Sequence, residues 1–379
     1  MIPLSEPTIA GNEWRYVKEC LDSGWVSSVG KFVNRFEDGI AKYVHAKHAV
    51  AVINGTSALH LSLLTCGLRD NDEVIVPAVT FIAPVNAVSY CGARPVFMDC
   101  DKTLCLDVEK TIHFLKTQTR KGKDGLAHNR KTGRVIKAII PVHIFGHPVD
   151  MKELVSVCHR MKIAVIEDAT ESLGSTYKGK MTGTIGDVGC LSFNGNKVIT
   201  TGGGGMVVTN SDKMAKLIRH LSTQAKKDAH LYDHDMIGYN YRLSNIQAAM
   251  GVAQMEQLQG FLKRKRGIAE TYRKLLDDVT GVKLLWEEPY AKSNFWLNTI
   301  RVSAKHHKPL LNFLLNRGIE ARPIWKLIHT LPMYKHCQTF EIVNALEAHA
   351  TCLNLPSSAG LTEKQIQKII DNIQKYFSG

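Results

Sequence analysis

A chain of 379 residues, 44% of them apolar, is long enough to bury a sizeable core and is expected to form one large domain and a smaller one, which excludes disorder. The N-terminus lacks a basic region ahead of an apolar stretch, and no apolar run approaches the roughly 18 residues that span a bilayer, so no secretory signal, no membrane association and a cytoplasmic location are expected. A formal charge of +13 points to nucleic acid, an anionic membrane or a phosphorylated substrate.

Along the first two-thirds of the chain, short runs rich in Val and Ile fall at 49–53, 74–76, 95–98, 136–142, 163–166, 188–193 and 206–209. Segments of helical periodicity, such as 151–161, separate most of them. That alternation predicts an α/β domain with a mostly parallel, buried seven-stranded sheet and helices on both faces. Ligands on such sheets collect at the carboxyl ends of the strands, where Gly55, Asp168 and Ser192 all fall.

Three places near these strand ends carry chemistry. The strand 49–53 runs into Asn54-Gly55-Thr56-Ser57 and the start of an apolar helix, a turn that can bind phosphate through free N–H groups. Taken alone, the tetrapeptide reads as an N-cap supplied by Thr56 or Ser57. Asp168 closes the apolar run 163–166, and Lys197 follows in a loop ending in four glycines, 202–205. Singly, these are a helix cap and a solvated lysine. Together, an amine and a carboxylate are what pyridoxal phosphate requires: the amine forms the imine, and the carboxylate keeps the pyridine nitrogen protonated.

Beyond residue 251 the pattern changes, so residues 1–251 are read as the large α/β domain and 252–379 as a smaller α+β domain. A helical stretch at 244–276 leads to strands at 282–286 and 296–302, a helix at 309–317, and a final helix at 362–376 with Ile366, Ile369, Ile370 and Ile373 on one face. Much of the positive charge lies in two clusters. Residues 116–137 read as an exposed basic loop, and Lys263-Arg264-Lys265-Arg266 as a solvated helix face. Neither carries interleaved aromatics, and no helix-turn-helix or zinc finger accompanies them, so nucleic acid is not an expected partner; a nucleic-acid-binding regulator is the remote alternative. Nine dispersed cysteines predict reduced, mostly buried thiols without a disulfide, and no metal site is expected.

The ordered series Gly55-Thr-Ser-Ala-Leu59, Pro77-Ala-Val-Thr-Phe81, Pro141-Val-His-Ile-Phe-Gly146, Glu167-Asp168-Ala-Thr-Glu171, Ser192-Phe193, Lys197, Gly204-Gly-Met-Val-Val-Thr209 and Gly238-Tyr-Asn-Tyr-Arg242 resembles the DegT/DnrJ/EryC/StrS sugar aminotransferases over essentially the whole chain. The resemblance implies a fold-type I aminotransferase, a homodimer with shared active sites that moves an amino group, commonly from glutamate, to a keto carbon of a nucleotide-linked sugar. It implies that Lys197 is the imine-forming lysine and Asp168 the partner of the pyridinium nitrogen. Phe81 would stack on the cofactor ring, Gly55, Thr56, Ser57 and Ser192 would cradle its phosphate, and Asn240 would reach that phosphate from the neighbouring subunit. A ping-pong sequence follows, in which the Lys197 amine moves a proton between the donor's α-carbon and the cofactor.

Two positions depart from the family pattern. Glu171 stands where many members have Gln near the cofactor's phenolic oxygen, so its carboxyl must be protonated or turned elsewhere. Asn194 stands where many have His. For the substrate, Trp25 and Ser27 in the stretch 23–30, the basic insertion at 120–134 and the residues around Lys197 look most like the legionaminic-acid branch. That branch aminates C4 of a UDP-linked 2-acetamido-2,6-dideoxy-4-keto-hexose. The close alternative is a GDP-perosamine synthase acting on GDP-4-keto-6-deoxymannose. Arg242, Arg322 and His329 are further candidates for the sugar nucleotide.

Overall fold

The computed structural model describes residues 1–228 and 231–378. All seven apolar runs are strands of one sheet: β1 (His48–Val52), β2 (Glu73–Pro77), β3 (Arg94–Met98), β4 (Ile136–Ile139), β5 (Ala164–Asp168), β6 (Val188–Ser192) and β7 (Gly205–Thr209). An eighth, β8 (Thr339–Phe340), pairs with β3 at the edge, and the order is β1-β7-β6-β5-β4-β2-β3-β8.

The expected seven-stranded, mostly parallel sheet is corrected in its count and by one strand: it has eight strands and is mixed, five of its seven pairings being parallel. β7 runs antiparallel to both β1 and β6. The reason lies between β6 and β7. Residues 193–204 contain no helix to carry the chain back under the sheet, so the strand returns beside its predecessor in the opposite sense. β8 escaped notice because two residues hold no alternation to read.

Apolar side chains close both faces of the sheet. Ala58, Leu59, Leu61 and Leu63 of helix α1 (Gly55–Thr65) are buried, as are Phe32, Phe36 and Ile40 of the helix Lys31–Val44. Helix α2 (Asn245–Leu276) begins with a capping box in which Ser244 and Gln247 satisfy each other's backbone N–H groups. Its first half packs into this core through Ala249, Ala253 and Leu258, and its second half enters another core through Ile268, Tyr272 and Leu276. That second core is closed by the four-stranded sheet of Val282–Leu284, Asn298–Val302, Cys352–Leu355 and Arg322–Pro323, and by the helix Glu363–Ser378 with all four of its face isoleucines buried.

Both basic clusters depart from their reading. Thr119–Lys121 and Ala127–Asn129 form an antiparallel hairpin rather than a loop, anchored where buried Asn129 donates to Glu73 and Gln338. On α2, Arg264 pairs with Glu363, Arg266 makes a two-pronged pair with Glu287, and Lys265 is fully buried. Only Lys263 of the four is exposed. All nine cysteines are free. Among the described residues no helix is long and apolar enough to cross a membrane, and no group of three or more His, Cys, Asp or Glu is placed to hold a metal.

Candidate active site

Five strands deliver their carboxyl ends to one cleft of about 370 Å³. β1 leads into Gly55 and Thr56, β2 into Thr80 and Phe81, and β4 into Val142, while β5 ends on Asp168 and β6 on Ser192. The loop after β6 brings in Asn194, Asn196 and Lys197, and the C-terminal part of the chain contributes Trp296, Arg322 and Trp325.

One wall is the start of α1. Its cap is Asn54, whose Oδ1 accepts the N–H of Ser57 at 2.8 Å, rather than Thr56 or Ser57. The remaining first-turn N–H groups have no intrahelical partner, and the helix dipole adds positive potential where Gly55 and Thr56 line the cleft. Gly55 is needed for closeness, since a Cβ there would stand 3.1 Å from both Ser192 Cβ and Thr170 Cγ2.

The opposite wall carries the ionisable groups. Asp168 is buried, accepts the N–H of Thr170 at 3.1 Å, and is pushed up by burial against the opposing influence of Thr170 and the Lys197 charge. Glu171 is buried too. Its Oε2 accepts the Phe145 N–H at 2.8 Å, and its Oε1 lies 3.5 Å from Lys197 Nζ. Burial pushes this carboxyl up to about 7, with Lys197 pulling the other way. Behind them Glu167 accepts the N–H groups of Gly183, Ile185 and Gly186 and bonds His143, so it is a satisfied structural carboxylate.

Lys197 Nζ also lies 3.8 Å from the centroid of the Trp296 ring. Trp296 was not among the expected site residues, nor were Thr80 and Trp325. Thr80 Oγ1 is buried without a partner, and Trp325 packs on Phe145 and nears Phe81. Pyridoxal phosphate suits this donor set: an amine, a buried carboxyl that a cationic ring nitrogen would hold ionised, an exposed aromatic at Phe81, and a helix N-terminus that a larger residue than Gly55 would crowd.

Of the expected residues, Gly55, Thr56, Phe81, Asp168, Glu171, Ser192, Lys197 and Arg322 line the cleft. Ser57 is buried and does not line it. Trp25 and Arg242 line a separate cavity of about 710 Å³, and the Ser27 carbonyl accepts the Asn245 N–H. There Arg242 bonds Glu37 and the Ala51 carbonyl. His329 packs near Phe97 with its Nδ1 buried and unpartnered. Asn240 is exposed, as are Leu231, Tyr232, Met236 and Ile237 earlier in the same stretch of sequence.

A model of the DegT/DnrJ/EryC1/StrS aminotransferase family matches residues 7–374. A GDP-perosamine synthase from Escherichia coli O157:H7 is 40% identical, over 100% of this chain and 99% of its own. A GDP-perosamine synthase from Vibrio cholerae is also 40% identical, over 100% of both chains. The crystal structure of a DegT DnrJ EryC1 StrS aminotransferase from Brucella abortus aligns at a TM-score of 0.89 and 28% identity, covering 97% of this chain and 96% of that one.

Proposed function

This chain belongs to the DegT/DnrJ/EryC1/StrS aminotransferase family and is a pyridoxal-phosphate-dependent enzyme, and from that premise we propose that it transfers an amino group from glutamate to C4 of GDP-4-keto-6-deoxymannose. The observation that carries the chemistry is the meeting of Lys197, Glu171 and Asp168 in one cleft with the N-terminus of α1. The choice of nucleotide is supported by the two full-length relatives named GDP-perosamine synthase. The expected legionaminic-type, UDP-linked reading gives way to them.

When bound, the cofactor's ring withdraws electrons from the carbon that exchanges its proton. The chain does the rest. Thr56, Ser57, Ser192 and the α1 N–H groups would hold the phosphate, Phe81 would cover the ring, and the Asp168 carboxylate would keep the ring nitrogen cationic. Lys197 Nζ would carry the proton to and from the reacting carbon. Arg322, exposed at the cleft wall and paired there with Glu320, would meet the nucleotide's diphosphate.

A second copy of the chain completes the site in this reading. It covers the apolar group around Asn240 and brings that amide to the phosphate of its neighbour's cofactor.

The test is to incubate the purified protein with glutamate and, in parallel, GDP-4-keto-6-deoxymannose and UDP-2-acetamido-2,6-dideoxy-4-keto-hexose. Mass and NMR then identify any amino sugar. A 4-amino product from the GDP sugar with 2-oxoglutarate released is expected. Turnover of the UDP sugar alone overturns the nucleotide assignment.

A further inference from the structure

Residues 116–137 hold eight Lys and Arg against a single acid, Asp124. Lys116, Arg120, Lys121, Lys123, Arg130 and Lys131 are exposed, and among the described residues none of the six is paired with a carboxylate. The ion pairs of this stretch are Asp124 with His128 and, at 3.8 Å, Arg134 with buried Glu73. The other basic cluster differs, since its Arg264 and Arg266 are both paired within the chain.

Alternation sorts the two faces of the hairpin. Thr119 and Asn129 stand opposite each other and are buried, with the Asn129 amide donating to Glu73 and Gln338. Arg120, opposite His128, and Arg130, beside Gln118, therefore lie on the outer face. Lys121 and Lys123 stand at the turn and Lys131 just past the second strand. Lys162, ahead of β5, is exposed as well and reaches the same turn, where a Cβ on Gly125 would meet its Nζ at 3.3 Å. Like charges side by side on a strand pair repel, so this face adds nothing to the stability of the fold.

The hairpin also lies away from the cleft. Its Asn129 bonds the first residue of β2, Glu73, whose N–H donates to the Val135 carbonyl just ahead of β4. It thus joins the amino ends of two strands whose carboxyl ends build the site, and a sugar nucleotide in the cleft does not meet it. The stretch assigned to the second copy is elsewhere too, because Arg242 bridges Val52 of β1, four strands from β4.

We propose that the outer face of this hairpin docks the protein on an anionic phospholipid membrane. A specific protein interface centres on apolar and aromatic anchors, and no exposed large apolar side chain falls within 116–137. Single-stranded nucleic acid stacks on aromatic rings, and the stretch holds no Phe, Tyr or Trp. A free two-stranded ribbon can enter the major groove, but the inner face of this one is packed on the fold. A charged lipid surface asks for no matching shape, only several cations presented together. The contact is peripheral, as no helix among the described residues is long and apolar enough to cross a membrane. It revises the expectation of no membrane association, which rested on the lack of a spanning segment.

The test is cosedimentation of the full-length, cofactor-loaded protein with vesicles of phosphatidylcholine alone and of phosphatidylcholine mixed with phosphatidylglycerol. Binding to the mixed vesicles is expected, weakened by salt, and about tenfold or more below that on phosphatidylcholine alone. A variant combining Arg120→Ser, Lys121→Ser, Lys123→Ser and Lys131→Ser should lose about tenfold or more of that binding. A control combining Lys305→Ser, Lys308→Ser, Lys364→Ser and Lys368→Ser removes the same charge from exposed positions elsewhere and should lose less than about threefold. Both should release 2-oxoglutarate from glutamate as the native protein does. Equal losses in the two variants would make the attraction a property of net charge and overturn the proposal. Absence of binding, or tighter binding to duplex DNA than to the mixed vesicles, would overturn it as well. Should the hairpin variant not fold, tryptic cleavage of the native protein after Lys121 and Lys123 decides: the mixed vesicles should slow it, and an unchanged rate refutes the docking.

Discussion

Glu171 and Lys197 meet at 3.5 Å inside a cleft where the carboxyl's other oxygen is already taken by the Phe145 N–H. Position 171 thus holds a group that can carry a proton. Burial pushes it up to about 7 from an ordinary 4.5. Between those values the folded chain keeps a proton that the unfolded chain has lost. Its contribution to stability is therefore complete below about 4.5 and disappears as pH rises through about 7. Glu171→Gln abolishes that dependence. Thermal denaturation of the cofactor-free proteins should show the native chain losing ground to the variant between about pH 5 and 8, by a few kcal/mol at most. A constant difference across that range would mean the carboxyl is not raised.

Lys265 carries the opposite dependence. Its ammonium is buried, bonded only to neutral carbonyls, those of Trp296 and Ser357 at 3.1 and 2.6 Å, and burial pulls it down to about 7 from 10.5. Between these values the unfolded chain binds the additional proton, so this group makes stability rise with pH from about 7 toward 10.5. Lys265→Met is expected to flatten that rise. It should also destabilise the fold at high pH by about 1–3 kcal/mol, because two buried carbonyls lose their donor. Denaturant melts at about pH 7 and 9 read both effects, and an equal rise in native and variant would contradict the assignment.

What the chain made legible follows from the range of the forces involved. The seven long strands show as apolar runs because both faces of the sheet are covered, and the last helix shows because Ile366, Ile369, Ile370 and Ile373 repeat at its period. β8 is two residues placed by tertiary pairing with Phe97 and Met98, and leaves no pattern. Lys265 reads as solvated because its neighbours Lys263, Arg264 and Arg266 are charged, while the carbonyls that receive it lie 31 and 92 residues away. Lys197 and Asp168 were readable from strand ends and a glycine-rich loop. Trp296 was not, since nothing local marks an indole that arrives from about 100 residues downstream to sit against the lysine. The mixed sense of the sheet was readable in principle from the missing helix at 193–204.

The closeness of Gly55 to its neighbours carries a consequence for the cofactor. A methyl at this position would stand 3.1 Å from Ser192 Cβ and Thr170 Cγ2, tighter than ordinary contact, so Ser192 must shift. Ala suits the first turn of a helix as well as Gly does, and α1 itself should survive. Gly55→Ala is therefore expected to weaken pyridoxal phosphate by about tenfold or more, in line with the strain of overpacking, with little change in melting temperature of the cofactor-free chain. Equilibrium titration of the cofactor's absorbance measures the first quantity and calorimetry the second. Undiminished affinity would show that Ser192 does not take part in the cradle.

In the proposed reading Lys197 and Asp168 have separable roles, and two substitutions tell them apart. Lys197→Ala removes the only amine lining the cleft among the described residues, so both amino-group transfer and the visible band of the lysine-bound cofactor should vanish. Asp168→Asn keeps that amine and the volume of the side chain but loses the anion. The visible band should persist, while turnover falls by about a hundredfold or more because the ring nitrogen is no longer held cationic. Its loss should not shift the Lys197→Ala phenotype further, since a reaction without the amine has no proton carrier for the ring to assist. Absorbance spectra and single-turnover rates with glutamate distinguish the cases. Residual transfer by purified Lys197→Ala, or native rates in Asp168→Asn, would mean that another pair of side chains carries the reaction.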